Sequence, residues 1–143
     1  MDVWPDERTI GERLLVVGGR LRALFTAAAA DVGLTFQEAR ALRLLALPVA
    51  PRRLAELLEC DPPRVAVLLR TLEGRGFVER RTSRADRRVR EVVVTPAGQD
   101  AVRHVLRRLA DESPVMTALS AGERGTLAAL LDRLLASGGT PPG

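Results

Sequence analysis

Residues 77–95 read FVERRTSRADRRVREVVVT, and positions 80–90 of that stretch hold six arginines and one acid. The flanks, FVERRT and VREVVVT, are rich in β-branched residues that favour extended backbone. The polar SRADRR between them reads as the turn of a two-stranded antiparallel hairpin. The fold therefore turns on what surrounds a small hairpin carrying a net charge of +5 in eleven residues.

Upstream, the period of apolar residues is helical. Val65, Leu68, Leu69 and Leu72 recur at i, i+3, i+4 and i+7 in a helix that Asp61 caps and GRG ends. Before it, Pro51 suits the first turn of a short helix whose Leu54, Leu57 and Leu58 share one face. A further helix is expected from Phe36 to Leu47, with Thr35 as N-cap and Pro48 as terminator. A long amphipathic helix is expected from about Glu7 to Ala30, through Ile10, Leu14, Val17, Leu21, Leu24 and Phe25.

Downstream, Thr95 and Pro96 open a helix that runs to about Glu112, with Val102, Val105, Leu106 and Leu109 on its apolar side. SAGE, residues 120–123, fits a capping box and opens a last helix bearing Leu127, Leu130, Leu131, Leu134 and Leu135. The tail SGGTPPG is expected to be disordered. Two short helices joined by a tight turn and followed by a basic hairpin make a winged helix-turn-helix. The expected class is mainly α with a small β-hairpin wing, flanked by N- and C-terminal helices.

Composition limits the alternatives. At 143 residues and 46% hydrophobic, the chain suits one compact domain. No apolar run approaches the roughly 20 residues that cross a bilayer, and MDVWPDERTI is acidic where a secretory leader is basic and then apolar, so a cytoplasmic protein without a membrane partner is expected. One cysteine, Cys60, forms no internal disulfide, and with a single histidine it assembles no closed zinc site, so neither metal nor cofactor is expected. All 22 basic residues are arginine, and the net charge is 0 over residues 1–50, +3 over 51–100 and +1 over 101–143. The surplus sits around the hairpin.

Residues 54–98, LAELLECDPPRVAVLLRTLEGRGFVERRTSRADRRVREVVVTPAG, resemble the core of the MarR family of bacterial transcriptional regulators. The likeness rests on LAELL before the turn, LEGRGFVER after the second helix, DRR in the wing and VTPAG opening the next helix, in that order and spacing. It extends over nearly the whole chain, read as one domain of residues 1–143. Helices within 7–34 and 97–137 would dimerise, 35–96 would bind DNA, and 138–143 would form the disordered tail. The resemblance implies an obligate homodimer that binds a pseudo-palindromic operator in double-stranded DNA, usually represses, and is released by a small phenolic or lipophilic effector or by oxidation.

On the expected recognition helix the face opposite the apolar stripe carries Pro63, Val67, Arg70 and Gly74, with Ala66 beside it and Arg64 near the helix N-terminus. Arg70 suits a phosphate or a bidentate contact to guanine, Val67 or Ala66 a thymine methyl, and Arg64 backbone or base. Pro62, Pro63, Ala66 and Val67 depart from the family pattern, which offers serine or threonine hydroxyls there. In the wing the resemblance places Arg88 in the minor groove, with Asp86 orienting it through a bidentate ion pair and Arg84 and Arg87 following phosphates. Arg80, Arg81 and Arg90 would contact phosphates or pair with Glu79 and Glu91. Dimerisation is expected through Ile10, Leu14, Leu127, Leu130, Leu131 and Leu134, since a monomer leaves this surface uncovered. Val17, Leu21, Leu42, Leu45 and Val105 are candidate pocket residues and equally an ordinary core.

Catalysis is not expected. His104 stands beside Arg103 and Arg107 without a nucleophile motif, a phosphate loop or a metal cluster. Cys60 lies just before the recognition helix, where packing is the expected role rather than an oxidation switch. Two readings stay open: a ligand-responsive DNA-binding regulator, and a dimeric winged-helix module whose apolar recognition helix meets protein instead.

Overall fold

The computed structural model describes residues 5–47 and 51–138. In chain order its elements are α1 (Pro5–Asp31), α2 (Phe36–Leu45), α3 (Pro51–Leu58), α4 (Pro62–Gly74), β1 (Val78–Thr82), β2 (Arg90–Val94), α5 (Pro96–Glu112), α6 (Pro114–Ala118) and α7 (Ala121–Ser137). The architecture is mainly helical with one antiparallel hairpin, as the sequence reading expects. Register pairs Val78 with Val94, Arg80 with Val92 and Thr82 with Arg90.

Helix starts follow local capping chemistry. Thr35 and Ser120 each form a reciprocal capping box, with Glu38 and Glu123 respectively. Asp61 accepts from the Arg64 N–H at 2.9 Å and Thr95 from the Gly98 N–H at 3.1 Å. Helix ends were less legible. α2 stops at Leu45 with Ala46 as its C-cap, short of the expected Leu47, and the expected terminator Pro48 lies outside the described residues. α6 was not foreseen: Pro114 lacks the N–H that would continue α5 and instead begins a new turn. Of the tail expected to be disordered, residues 139–143 lie outside the described residues.

One apolar cluster joins the elements. Phe25, Ala28 and Ala29 of α1 meet Ala39 and Leu42 of α2, Leu54 and Leu58 of α3, Val65, Leu68 and Leu72 of α4, Val78 of β1, and Ala101, Val102 and Val105 of α5. The α2 helix is central, packing against α1, α3, α4, α5 and β2. Phe25 and Phe36 meet edge to face at 5.2 Å, and the Arg22 guanidinium lies 4.1 Å from the Phe36 ring centre.

The hairpin is tied to its neighbours by the Thr95–Gly98 turn. The Thr95 hydroxyl donates to the Gly76 carbonyl at 2.6 Å and its N–H to the Phe77 carbonyl at 3.0 Å. Gly98 is buried against the same strand, and a Cβ there would collide with the Phe77 carbonyl oxygen and stand 2.7 Å from Val94 Cγ1. Across the molecule, Asp31 at the end of α1 meets α5: its Oδ2 lies 2.9 Å from both His104 Nε2 and Arg108 Nη1. Arg108 also grips Glu112 through two hydrogen bonds, at 2.8 and 3.0 Å. Hydrogen bonds from His104 and then Arg108 hold the Asp31 carboxyl below its ordinary range, and Arg108 does the same for Glu112. Arg108 is correspondingly raised, first by Glu112 and then by Asp31.

Among the described residues the cluster does not reach the first half of α1 or α7. Ile10, Leu14, Leu15, Val16 and Val17 in the first half of α1 are exposed, as are Leu130, Leu131, Leu134 and Leu135, and α7 has no buried residue.

Two stability predictions follow from this packing. Gly98→Ala should lower stability by about 1–3 kcal/mol through overpacking against backbone, read as a fall in the urea midpoint. Because the Asp31 pKa is depressed on folding, its contribution is present above the unfolded value of about 3.9 and is lost as pH falls through the folded value. Asp31→Asn should therefore lower Tm at neutral pH, with the gap to wild type closing in acid; a gap that persists unchanged in acid would contradict the assignment.

Candidate nucleic-acid interface

The turn between α3 and α4 is built by strain and capping together. Glu59 adopts a left-handed backbone, φ 52°, and Cys60 donates its N–H to Ala55 at 3.1 Å before Asp61 caps α4. Arg40 on α2 donates to the Leu57 carbonyl at 3.0 Å, satisfying an acceptor at the end of α3. At the other end of α4, Arg75 donates to the Gly33 carbonyl at 2.7 Å, and Gly33 holds φ at +74°, a left-handed conformation that favours glycine. Arg40 thus ties α2 to the end of α3, and Arg75 ties the end of α4 to the loop between α1 and α2. Neither was foreseen, because each reaches a residue distant in sequence.

With Val65, Leu68 and Leu72 buried, α4 turns Pro63, Arg64, Val67 and Arg70 outward, and Ala66 is half-buried beside them. Val67 is 51% exposed. Arg64 and Arg70 form no side-chain hydrogen bond or ion pair with any described residue. Glu73, by contrast, is held by Arg80 of β1 at 3.1 Å. That pairing replaces the expected one with Glu79 or Glu91: Arg80 shares the strand face of Val78, which packs towards α4, whereas Glu79 and Glu91 lie on the other face.

The wing loop is shaped by two small polar side chains. Ser83 is buried; its N–H donates to the Val89 carbonyl at 2.8 Å, and its hydroxyl accepts from the N–H groups of Ala85 and Asp86 at 3.2 and 3.4 Å. Asp86 accepts from the Arg88 backbone N–H at 3.0 Å. The expected bidentate pair between Asp86 and the Arg88 guanidinium is therefore not formed. At a separation of two residues, the carboxylate closes an Asx-type turn on the backbone instead. Arg84, Arg87 and Arg88 stand exposed without partners among the described residues. Ser83 escaped the sequence reading, although a serine two and three residues before turn amides is the pattern of such loops.

Of the expected pocket residues, only Leu42 and Val105 line one void. Leu42 and Val105 are core residues beside a void with room for about one water, Leu45 packs on the core, and Val17 is exposed. Of these residues only Leu21 faces a cleft of about 450 Å³ between α1, α2, α5, α6 and α7, with Arg43, Leu106, Leu109, Met116, Leu127 and Leu131 also among its walls. Of the expected dimer residues, Ile10, Leu14, Leu130, Leu131 and Leu134 are exposed and Leu127 half-buried in that cleft. Cys60 is half-buried against the core. His104 meets Asp31 rather than any hydroxyl or thiol. Among the described residues no cluster suits a metal ion, and no helix is long and apolar enough to cross a membrane.

The comparisons with known proteins bear on this arrangement. The MarR family model matches residues 35–89, from the cap of α2 to the wing. No curated protein matches the chain significantly. A probable transcriptional regulator from Pseudomonas aeruginosa is 30% identical, with 87% of this chain and 96% of that one covered at a TM-score of 0.64. A mutant MarR from E. coli complexed with operator DNA has the same fold at 22% identity, covering 94% and 99% at a TM-score of 0.68. So does CouR from Rhodococcus jostii RHA1 bound to p-coumaroyl-CoA, at 24% identity, 94% and 95% coverage and a TM-score of 0.71. With the helix-turn-helix, the arginine-bearing wing and the flanking helices in the same order, the chain belongs to the MarR family of transcriptional regulators, with their DNA-binding winged-helix fold.

Proposed function

We propose that the protein is a homodimeric, sequence-specific repressor that binds a pseudo-palindromic operator in the cytoplasm and is released by a small lipophilic or phenolic effector. The observation that carries this reading is the set of five arginines, Arg64 and Arg70 on α4 and Arg84, Arg87 and Arg88 on the wing, exposed and without partners among the described residues. Guanidinium groups left uncompensated on adjacent elements suit a polyanion, and α4 suits a major groove with the wing in the minor groove beside it. Arg88 at the wing tip serves the minor groove, while Asp86 serves it indirectly by setting the turn.

Dimerisation is supported by the uncovered apolar surface of α1 and α7, with Ile10 54% and Leu134 56% exposed. A second copy related by a two-fold axis covers it and presents two recognition helices about 34–36 Å apart, one turn of DNA. The cleft that holds Leu21 opens beside this surface, and Arg43 on its wall belongs to α2, which packs on α4. An apolar effector with a polar group fits that lining, and a ligand there has a mechanical route to the recognition helix.

Selection from random duplex DNA tests the reading. The expected product is an inverted repeat, with affinity that falls steeply as salt rises. Arg88→Ala should cost about 1–3 kcal/mol of DNA affinity with the dimer intact. DNA binding that is indifferent to both salt and Arg88 would favour a protein partner for this surface instead. Leu134→Arg should yield monomer by sedimentation and weaken operator binding at least about tenfold, because one half-site is then lost; a variant that remains a dimer would move the interface elsewhere.

A further inference from the structure

The outward face of α4 has an unusual chemistry for a surface that meets base edges. Pro63, Val67 and Arg70 lie along one stripe at i, i+4 and i+7, with Ala66 and Arg64 beside it. The polar side chains nearby are already engaged. Thr71 turns its hydroxyl back onto the Val67 carbonyl at 3.1 Å, Asp61 is spent on the cap of α4, and Glu73 is held by Arg80. Between Arg64 and Arg70 the stripe therefore offers only apolar side chains.

That restricts what the helix can read. Every base pair presents hydrogen-bonding atoms in the major groove, and an apolar side chain pressed against them leaves them unsatisfied at a cost. The thymine C5 methyl is the group on that edge which an apolar side chain meets favourably. Val67 is half exposed on a helix whose other valine and leucines, Val65, Leu68 and Leu72 among them, turn inward, so covering it with a methyl recovers apolar contact. The flanking arginines suit guanine O6 and N7 or phosphate.

We infer that α4 selects its half-site through thymine methyl groups, with Val67 and Pro63 as the reading surface and Arg64 and Arg70 as its polar flanks. The inference rests on the DNA-binding reading above. Shape and hydrogen bonding enter through the wing and the arginines, whereas the centre of the helix distinguishes thymine from the same base without its methyl.

The test uses the full-length protein and the duplex enriched by selection, with thymines of the half-site replaced one at a time by uracil, which deletes only the methyl. At one position or more per half-site the affinity should fall about fourfold, equivalent to about 0.8 kcal/mol for one buried methyl-sized group. Replacing the symmetric pair should cost about fifteenfold. In Val67→Ala, a substitution at an exposed site whose folding is checked by circular dichroism, the thymine-to-uracil difference should shrink to less than about twofold, and Val67→Ile should preserve it. Equal wild-type affinity for thymine and uracil duplexes would overturn the inference alone, as would a uracil penalty that survives in Val67→Ala. Enrichment of no sequence by a folded protein would overturn it together with the DNA-binding reading.

Discussion

The wing is held in place by the approach of Gly98 to the Phe77 carbonyl. A two-stranded hairpin has too little core to stand by itself in water, and β1 and β2 bury only Val78 fully. The hairpin is anchored to the domain by hydrogen bonds between its base and the start of α5. Thr95 spans the junction, donating from its hydroxyl to Gly76 and from its N–H to Phe77 while accepting from Gly98. The absence of a Cβ at Gly98 lets the first turn of α5 close on that strand. Gly76 also ends the segment that leaves α4, at φ +76°. One turn of chain thereby joins the exit of α4, the base of the hairpin and the start of α5.

Hydrogen bonds and ion pairs engage some of the arginines in the fold and leave others exposed. Arg40, Arg75, Arg80 and Arg108 each bind a carbonyl or carboxylate elsewhere in the chain, and each links two elements. Arg64, Arg70, Arg84, Arg87 and Arg88, on α4 and the wing, do not; nor, among the described residues, do Arg13, Arg20, Arg43, Arg81, Arg90, Arg107 and Arg133. Exposed ion pairs contribute little individually. The hydrogen bonds to carbonyls are geometric ties: Arg40 at Leu57 joins α2 to the end of α3, and Arg75 at Gly33 joins the end of α4 to the loop between α1 and α2. The apolar residues divide in the same way, one set forming the core and another, on α1 and α7, left uncovered.

Much of this was legible in the sequence because its causes are local. Thr35, Asp61, Thr95 and Ser120 cap helices by bonding to amides three residues away, so the residues that make the cap stand side by side in the chain. The hairpin was equally plain, since β-branched runs flanking SRADRR need no distant partner to announce a turn. The exposed face of α4 followed from helical period alone. Membership of the MarR family was readable in LEGRGFVER, DRR and VTPAG, each of which now has a structural reason at the α4 exit, the wing turn or the α5 start.

Tertiary structure decided whatever depends on which elements meet. The family resemblance implied an ion pair between Asp86 and the Arg88 guanidinium, but the loop geometry set the carboxylate on the backbone amide. Arg80 found Glu73 across to α4, because strand alternation turned it away from Glu79 and Glu91. Val17, Leu21, Leu42, Leu45 and Val105 all fit apolar stripes, yet helix packing dispersed them between core, surface and cleft. The sequence by itself thus determined where helices begin, where the wing lies and where positive charge concentrates, since these are set within a few residues of chain. Only the folded chain decided which arginines are spent on structure and which remain free, because a long flexible side chain takes its partner from whatever packing brings within reach.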